Sequence, residues 1–144
     1  MNIEVDAGAK AFAKAEVRID ATPEIVYDIL SHIRKWPSWQ EDVSRTKINN
    51  VQPEAGTEFS WKVNGMTIKS RLHTANYPAA LGWTGEVWWY KAIHNWHMVP
   101  DGDGGTYLTV VESMSGFGAS LMQGMLRKSV RKNAKELKRA AEHK

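Results

Sequence analysis

The sequence predicts an α+β domain: a curved antiparallel sheet of about six to seven strands wrapped around a long C-terminal helix, with two short helices after the first strand. Three observations carry this. Short segments of period-two alternation follow one another between residues 15 and 114, separated by turn residues. Helical spacing occurs only twice, directly after the first strand and from about Phe117 to the end. No linker, internal repeat or low-complexity tract divides the 144 residues, so one domain over 1–144 is expected. Strands grouped together, with helices before and after them, argue for α+β rather than alternating α/β.

Ala15-Glu16-Val17-Arg18-Ile19-Asp20 alternates as a half-buried strand. Thr22-Pro23-Glu24 then starts a helix, because Thr caps and proline is preorganised for the first helical position. Val26, Ile29, Leu30 and Ile33 form its apolar face, and Pro37 ends or kinks the stretch between Trp36 and Trp39. Val43 to Val51 reads as a weak strand. Thr57 to Asn64 is a clear one, with Phe59, Trp61 and Val63 on one face. Asn64-Gly65 is a hairpin turn, after which Met66, Ile68, Ser70 and Leu72 share the inner face. Leu81 to Trp89, Ala92 to Val99 and Thr106 to Met114 complete the series, the last two joined by the loop Asp101-Gly102-Asp103-Gly104-Gly105. In the final helix Leu121, Met122, Met125, Leu126, Val130, Ala134, Leu137 and Ala141 form an apolar stripe. At about 25 residues that helix is ~37 Å long, and it packs naturally across the concave face of the sheet.

Composition excludes several classes of function. Hydrophobic residues at 42% and charged residues at 24% fit neither a disordered chain nor a membrane protein. No apolar run approaches the ~18 residues of a membrane span. The start, Met1 to Asp6, lacks the order of a signal peptide. With no cysteine there is no disulfide framework, thiol nucleophile or cysteine zinc site, and a cytoplasmic location is expected. The net charge of +3 hides an asymmetry. Residues 127–144 carry eight Lys/Arg against two acids, a net +6, so residues 1–126 sum to −3. The basic side chains lie opposite the apolar stripe without interleaved aromatics, so a solvated face is expected and nucleic acid is not. Membrane contact through that face is possible but not favoured. His94 and His97 are three apart on a strand and point to opposite faces; no metal and no cofactor are expected. Nucleophile-elbow, phosphate-loop and dinucleotide motifs are missing.

Ala21-Thr22-Pro23-Glu24, Trp36-Pro37-Ser38-Trp39, Leu81-Gly82-Trp83-Thr84-Gly85, Ala92-Ile93-His94-Asn95-Trp96, Gly105-Thr106 and Glu112-Ser113-Met114-Ser115-Gly116 occur in an order, leading into the long helix, that is more specific than any piece alone. Over nearly its whole length the chain resembles the START-like, helix-grip (SRPBCC) superfamily, and within it the polyketide cyclase/dehydrase-like ligand-binding proteins. The resemblance implies a curved sheet gripping the C-terminal helix with a cavity between them. It does not imply one reaction, since the fold includes lipid carriers, cyclases, hydrolases and co-chaperones.

Alternation also assigns the inner faces. His94, Trp96 and Met98 fall together, as do Leu108, Val110, Glu112 and Met114. With the glycine loop centred on Asp103, His94 lies opposite Glu112, Trp96 opposite Val110 and Met98 opposite Leu108. A tight turn at Tyr90-Lys91 sets Gly85 against Trp96 and Trp83 against Met98, and Trp88 is expected outward, beside Trp89 and Tyr90, where exposed aromatics at a hairpin tip suggest a rim or contact patch. Seven tryptophans suit either a core or the wall of a pocket for flat apolar ligands. The expected ligand-binding residues are Trp61, Ile68, Ser70, Trp83, His94, Trp96, Met98, Val110, Glu112, Met114, Leu121 and Met125. His94 and Glu112 are the candidate catalytic residues. They read as an ionic pair anchoring strand register, as an acid/base pair, or as hydrogen-bond partners of a ligand.

The function expected is carriage or sequestration of a small hydrophobic, aromatic or polyketide-like molecule by a monomer or homodimer, with a non-enzymatic role favoured. One alternative is a cyclase or dehydratase using His94 and Glu112. Another is a lipid or lipophilic-cofactor carrier that docks on a membrane or partner through its basic helix.

Overall fold

Every strand of the sheet is antiparallel to its neighbours, and four of the connections between consecutive strands are only two to five residues long. A computed structural model gives the architecture and describes residues 11–49 and 53–143. β1 (Ala11–Ile19) is followed by α1 (Pro23–Ser31) and a 3-10 helix (Ile33–Ser38). Then come β2 (Val43–Ile48), β3 (Glu58–Val63), β4 (Met66–Asn76), β5 (Ala80–Val87), β6 (Tyr90–Pro100) and β7 (Thr106–Ser115). A short 3-10 turn (Ala119–Met122) leads into α2 (Gln123–Glu142). The seven strands form one sheet in the order β1-β7-β6-β5-β4-β3-β2. The architecture is the helix-grip fold, a curved sheet holding the C-terminal helix.

Local chemistry accounts for the first helices. Thr22 Oγ1 accepts from Ile25 N at 3.4 Å, and Pro23 occupies the first turn. Val26, Tyr27 and Leu30 are buried on one face. Trp36 is fully buried, and its Nε1 donates to Leu30 O at 2.8 Å, which locks the 3-10 helix under α1. Trp36 meets Phe59 and Trp61 edge-on at 5.6 and 5.2 Å.

α2 lies across the concave face with Leu126, Val130, Ala134, Leu137 and Ala141 buried. Each fully buried Leu or Val of this set stabilises by about 1.5–3 kcal/mol, and each Ala by less. Both flanks of the helix are pinned. Gln123 Oε1 accepts from Phe12 N at 2.8 Å and Glu142 Oε2 from Asp20 N at 2.8 Å, both on the β1 side. On the other side Glu136 Oε2 accepts from Glu41 N at 2.8 Å, and Lys132 Nζ lies 3.1 Å from carboxylates of Glu41 and Asp42.

Four expectations need correction. β1 begins at Ala11 rather than Ala15. β2 ends at Ile48; Asn50 and Val51 lie outside the described residues, as do Met1 to Asp6 and Lys144. The β5–β6 turn falls at Trp88-Trp89, so the register moves by four residues. Gly85 faces Ala92 and Trp83 faces His94, whereas Trp96 lies opposite Leu81. The reason is that Trp88 takes a left-handed φ of 54°, a conformation no Gly, Asn or Asp advertises there. Finally, α2 starts at Gln123 and has 20 residues. Gly116 (φ 129°) and Gly118 (φ 80°) turn the chain first, and a Cβ at Gly116 would stand 2.8 Å from Trp89 O. Leu121 therefore points to solvent, 88% exposed. The β6–β7 register agrees with expectation throughout, with His94 opposite Glu112, Trp96 opposite Val110 and Met98 opposite Leu108.

Candidate ligand-binding cavity

A cavity of about 400 Å³ lies between the first half of α2 and the inner faces of β3 to β7. Its width comes from small side chains. Gly85 and Ala92 face each other across β5 and β6, and a Cβ on Gly85 would already approach Ile68 Cγ2 to 3.2 Å. Val63, Met66, Ile68 and Met114 line the sheet side, and Met122, Met125 and Leu126 the helix side. Of the lining residues Asn64, Trp88, Met125, Lys128 and Ser129 are exposed, so the cavity opens among them. Lys132, also in the lining, bridges α2 to Glu41 and Asp42.

The lining becomes aromatic and polar at Trp61, Trp83, His94 and Glu112. Trp61 Nε1 donates to Ser70 Oγ at 3.0 Å, which satisfies the indole and fixes its plane. The His94 ring packs in a triangle with two indoles, 4.7 Å from Trp83 and stacked on Trp96 at 5.4 Å with an interplanar angle of 8°. Glu112 faces it from β7, with Oε1 3.4 Å from His94 Nδ1. That separation exceeds the usual ~2.7–3.2 Å of a hydrogen bond. His94 is 4% exposed, and among the described residues its Nε2 has no hydrogen-bond partner. That nitrogen carries a desolvation cost, and it is closed off from the cavity.

Burial decides the protonation of the pair. Loss of solvent pushes the Glu112 carboxyl up to about 8 and the His94 imidazole down to about 3. Both shifts favour the neutral forms, so near pH 7 the pair is a carboxylic acid beside a neutral imidazole. The part-exposed Glu112 carboxyl offers a hydroxyl donor to whatever occupies the cavity.

Of the residues anticipated from the sequence, Trp61, Ile68, Trp83, His94, Glu112, Met114 and Met125 line this space. Ser70 does not; it is buried behind Trp61 as its hydrogen-bond partner. Trp96, Met98 and Val110 face inward as their parity requires, but they are at most 1% exposed in the solid core beyond the cavity. Leu121 is outside altogether. Sequence reasoning missed Val63, Ala92, Met122 and Leu126 as lining residues, and gave Gly85 the wrong neighbour. The signal that existed was the run of small residues at Gly85 and Ala92. Its meaning depended on a register that the unmarked Trp88-Trp89 turn concealed. Among the described residues no three His, Cys, Asp or Glu side chains gather as a metal site, and no helix is long and apolar enough to cross a membrane.

A curved seven-stranded sheet closed by a C-terminal helix over an internal cavity is the architecture of the START-like superfamily. The chain belongs to the family described as polyketide cyclase/dehydrase and lipid transport, whose profile matches residues 11–142. No curated protein matches the sequence. Among solved structures, the hypothetical protein jhp0584 from Helicobacter pylori superposes with a TM-score of 0.84 at 14% identity, over 98% of both chains. A START superfamily protein from Mycobacterium smegmatis gives 0.73 at 17% identity, over 92% of this chain and 97% of that one. The ZhuI aromatase/cyclase from Streptomyces sp. R1128 gives 0.73 at 14%, over 91% and 93%. At these identities the likeness concerns the fold alone. The family as a whole is associated with hydrophobic ligands and with cyclase chemistry.

Proposed function

We propose that this protein binds a small, flat, apolar molecule in the cavity and that His94 and Glu112 hold that molecule's polar group. The observation that carries this reading is the combination of a mostly apolar cavity of about 400 Å³ with one polar pair, His94 and Glu112, on its wall. Ligand pockets of ~300–1,000 Å³ are of this kind, mostly apolar with a few convergent polar groups. A ketone or phenol oxygen suits the site, accepting from protonated Glu112. Carriage or sequestration requires nothing more.

The test is titration with flat apolar dyes and polyketide-like compounds, read as saturable quenching of tryptophan fluorescence. Ala92→Leu, which fills the space opposite Gly85, should lower affinity by at least about tenfold while the protein stays folded. Glu112→Leu, which removes the hydroxyl donor at similar volume, should weaken binding of a keto or phenolic ligand by about 0.5–1.5 kcal/mol. Unchanged affinity in both variants would refute the reading.

A second reading is favoured by one observation, the neutral acid and neutral base side by side. In a dehydration, His94 would take the proton from the carbon next to a carbonyl and Glu112 would give its proton to the departing hydroxyl, so that water leaves and a double bond forms. Mass analysis after incubation with a β-hydroxy-keto substrate separates the two. A binder returns the compound unchanged, and a dehydratase returns it lighter by one water, with Glu112→Gln binding but not converting.

A further inference from the structure

We propose that the rim of the cavity mouth is a docking surface for an anionic lipid bilayer. Five of the eight most exposed large apolar side chains among the described residues gather there: Trp88, Trp89, Phe117, Leu121 and Met125. They are 70, 61, 85, 88 and 50% exposed, and they come from three separate segments. Contacts hold the segments together. Trp88 and Trp89 lie 6.1 Å apart, and Trp89 Nε1 donates to Phe117 O at 2.9 Å. Trp88 and Met125 both edge the cavity. Isolated exposed apolar residues are ordinary, but a contiguous group of this size marks an interaction site.

A second observation is independent of exposure. Trp88 occupies a left-handed backbone position, φ 54°, in the two-residue turn between β5 and β6. Glycine or asparagine fits that position without strain, whereas a bulky side chain does not. The turn thus carries a strained, solvent-facing indole that folding alone does not call for. Indoles combine an apolar body with one N–H donor and concentrate where hydrocarbon meets headgroups.

Charge selects the partner. Residues 113–135 contain no acid and five basic residues, of which Arg127, Lys128 and Arg131 are exposed on the first turns of α2. Two copies of this rim facing each other would bring like charges together, which disfavours a second copy of the chain as the occupant. An anionic bilayer satisfies both features, with basic side chains at the headgroups and the apolar rim inserted at the interface. The cavity opens inside the rim, so a docked molecule would exchange an apolar ligand with the bilayer without passing it through water. That corollary rests on the cavity reading; the docking itself does not.

Sedimentation with phosphatidylcholine vesicles, alone and mixed with phosphatidylglycerol, tests it in the full chain. The native protein should bind the mixed vesicles, with a blue shift of tryptophan emission and weakening as salt is raised. Phe117→Ser/Leu121→Ser should lower that binding by about tenfold or more. Arg127→Glu/Arg131→Glu should lower it by a similar factor. None of these four residues lines the cavity, so dye titration should be unaffected by either pair, and a failed cavity reading and a failed docking reading are told apart. No native binding to mixed vesicles, or equal binding by both double variants, overturns the proposal. It is also overturned if the native protein forms a dimer that Phe117→Ser/Leu121→Ser converts to monomer without any vesicle binding, since the rim is then an interface between copies.

Discussion

The two ends of the same β5–β6–β7 surface are built from opposite choices of side-chain size and turn chemistry. Near the Asp101–Gly105 loop the concave face carries Trp96, Met98, Leu108 and Val110, all at most 1% exposed, and they share one core with Leu137 and Ala141 of α2. The loop itself is locked: Asp101 Oδ1 accepts from Asp103 N and Gly105 N at 2.8 and 2.9 Å, and Arg18 Nε donates to Asp101 Oδ2 at 2.6 Å. Near the Trp88-Trp89 turn the same strands carry Gly85, Ala92 and Met114, and they face Met122 of the 3-10 turn and Met125 of α2. The turn there holds a bulky residue at positive φ. Alternation along a strand thus decides which face a residue takes, and side-chain volume decides whether that face becomes core or cavity.

The largest expected effect comes from truncating one residue at each end. Leu108→Ala in the packed end should cost about 2–5 kcal/mol, because lost transfer energy adds to a new void. Met66→Ala borders space that already exists, so only the transfer contribution is lost; it should cost less than half as much. Urea denaturation of both variants measures the difference. Equal losses would mean that the cavity end is packed as tightly as the other.

Next in size is the proton shared by His94 and Glu112 at the boundary between the two ends. Unfolded, Glu112 titrates near 4.5 and His94 near 6.5; folded, burial moves them to about 8 and about 3. Between pH 4.5 and 6.5 the pair holds one proton in either state, so it leaves stability flat. Above 6.5 the unfolded pair holds none while the folded pair keeps one until about 8, so stability falls as pH rises through that window. Below 4.5 the unfolded pair holds two while the folded pair holds one until about 3, so stability falls as pH drops. Each flank amounts to about 2 kcal/mol. This counting holds whichever of the two groups carries the proton. Glu112→Gln should abolish the alkaline flank and move the acid flank up to begin near 6.5, shifting the optimum to higher pH. Denaturation curves on either side of neutrality decide it; an unmoved optimum would mean that the pair is not buried as a unit.

What the sequence made legible follows the same division. The glycine loop after Pro100 announced its own centre, so the pairing of His94 with Glu112 followed from counting along β6 and β7. The Trp88-Trp89 turn contains no glycine, asparagine or aspartate, so β5 slid by four residues and Gly85 lost its true neighbour, Ala92. Parity placed Trp96, Met98 and Val110 on the inner face correctly, but periodicity carries no information about depth, and all three proved to be core. Helical spacing carried Leu121 onto the apolar stripe because it cannot register that Gly116 and Gly118 delay the helix.

The smallest expected effect concerns the turn at the open end. At Trp88 a left-handed backbone costs a non-glycine residue about 1–2 kcal/mol, while glycine brings an entropic cost of roughly 0.5–1 kcal/mol. The indole is 70% exposed and contributes little packing to offset the strain. Trp88→Gly should therefore raise stability by about 0.5–1 kcal/mol, read as a small upward shift of the urea midpoint with the slope unchanged. A glycine in the opposite loop meets the reverse situation. At Gly105 a Cβ would come within 2.5 Å of Arg18 Nη2 and 2.7 Å of Asp101 Oδ2, so a side chain there pushes apart the ion pair that locks the loop. Gly105→Ala should destabilise as Trp88→Gly stabilises. If both substitutions destabilise, Trp88 is held by packing at the mouth and the open end is no less optimised for folding than the closed one. If the signs differ, the open end retains strain that folding alone would remove, as expected where a surface has been kept for contact.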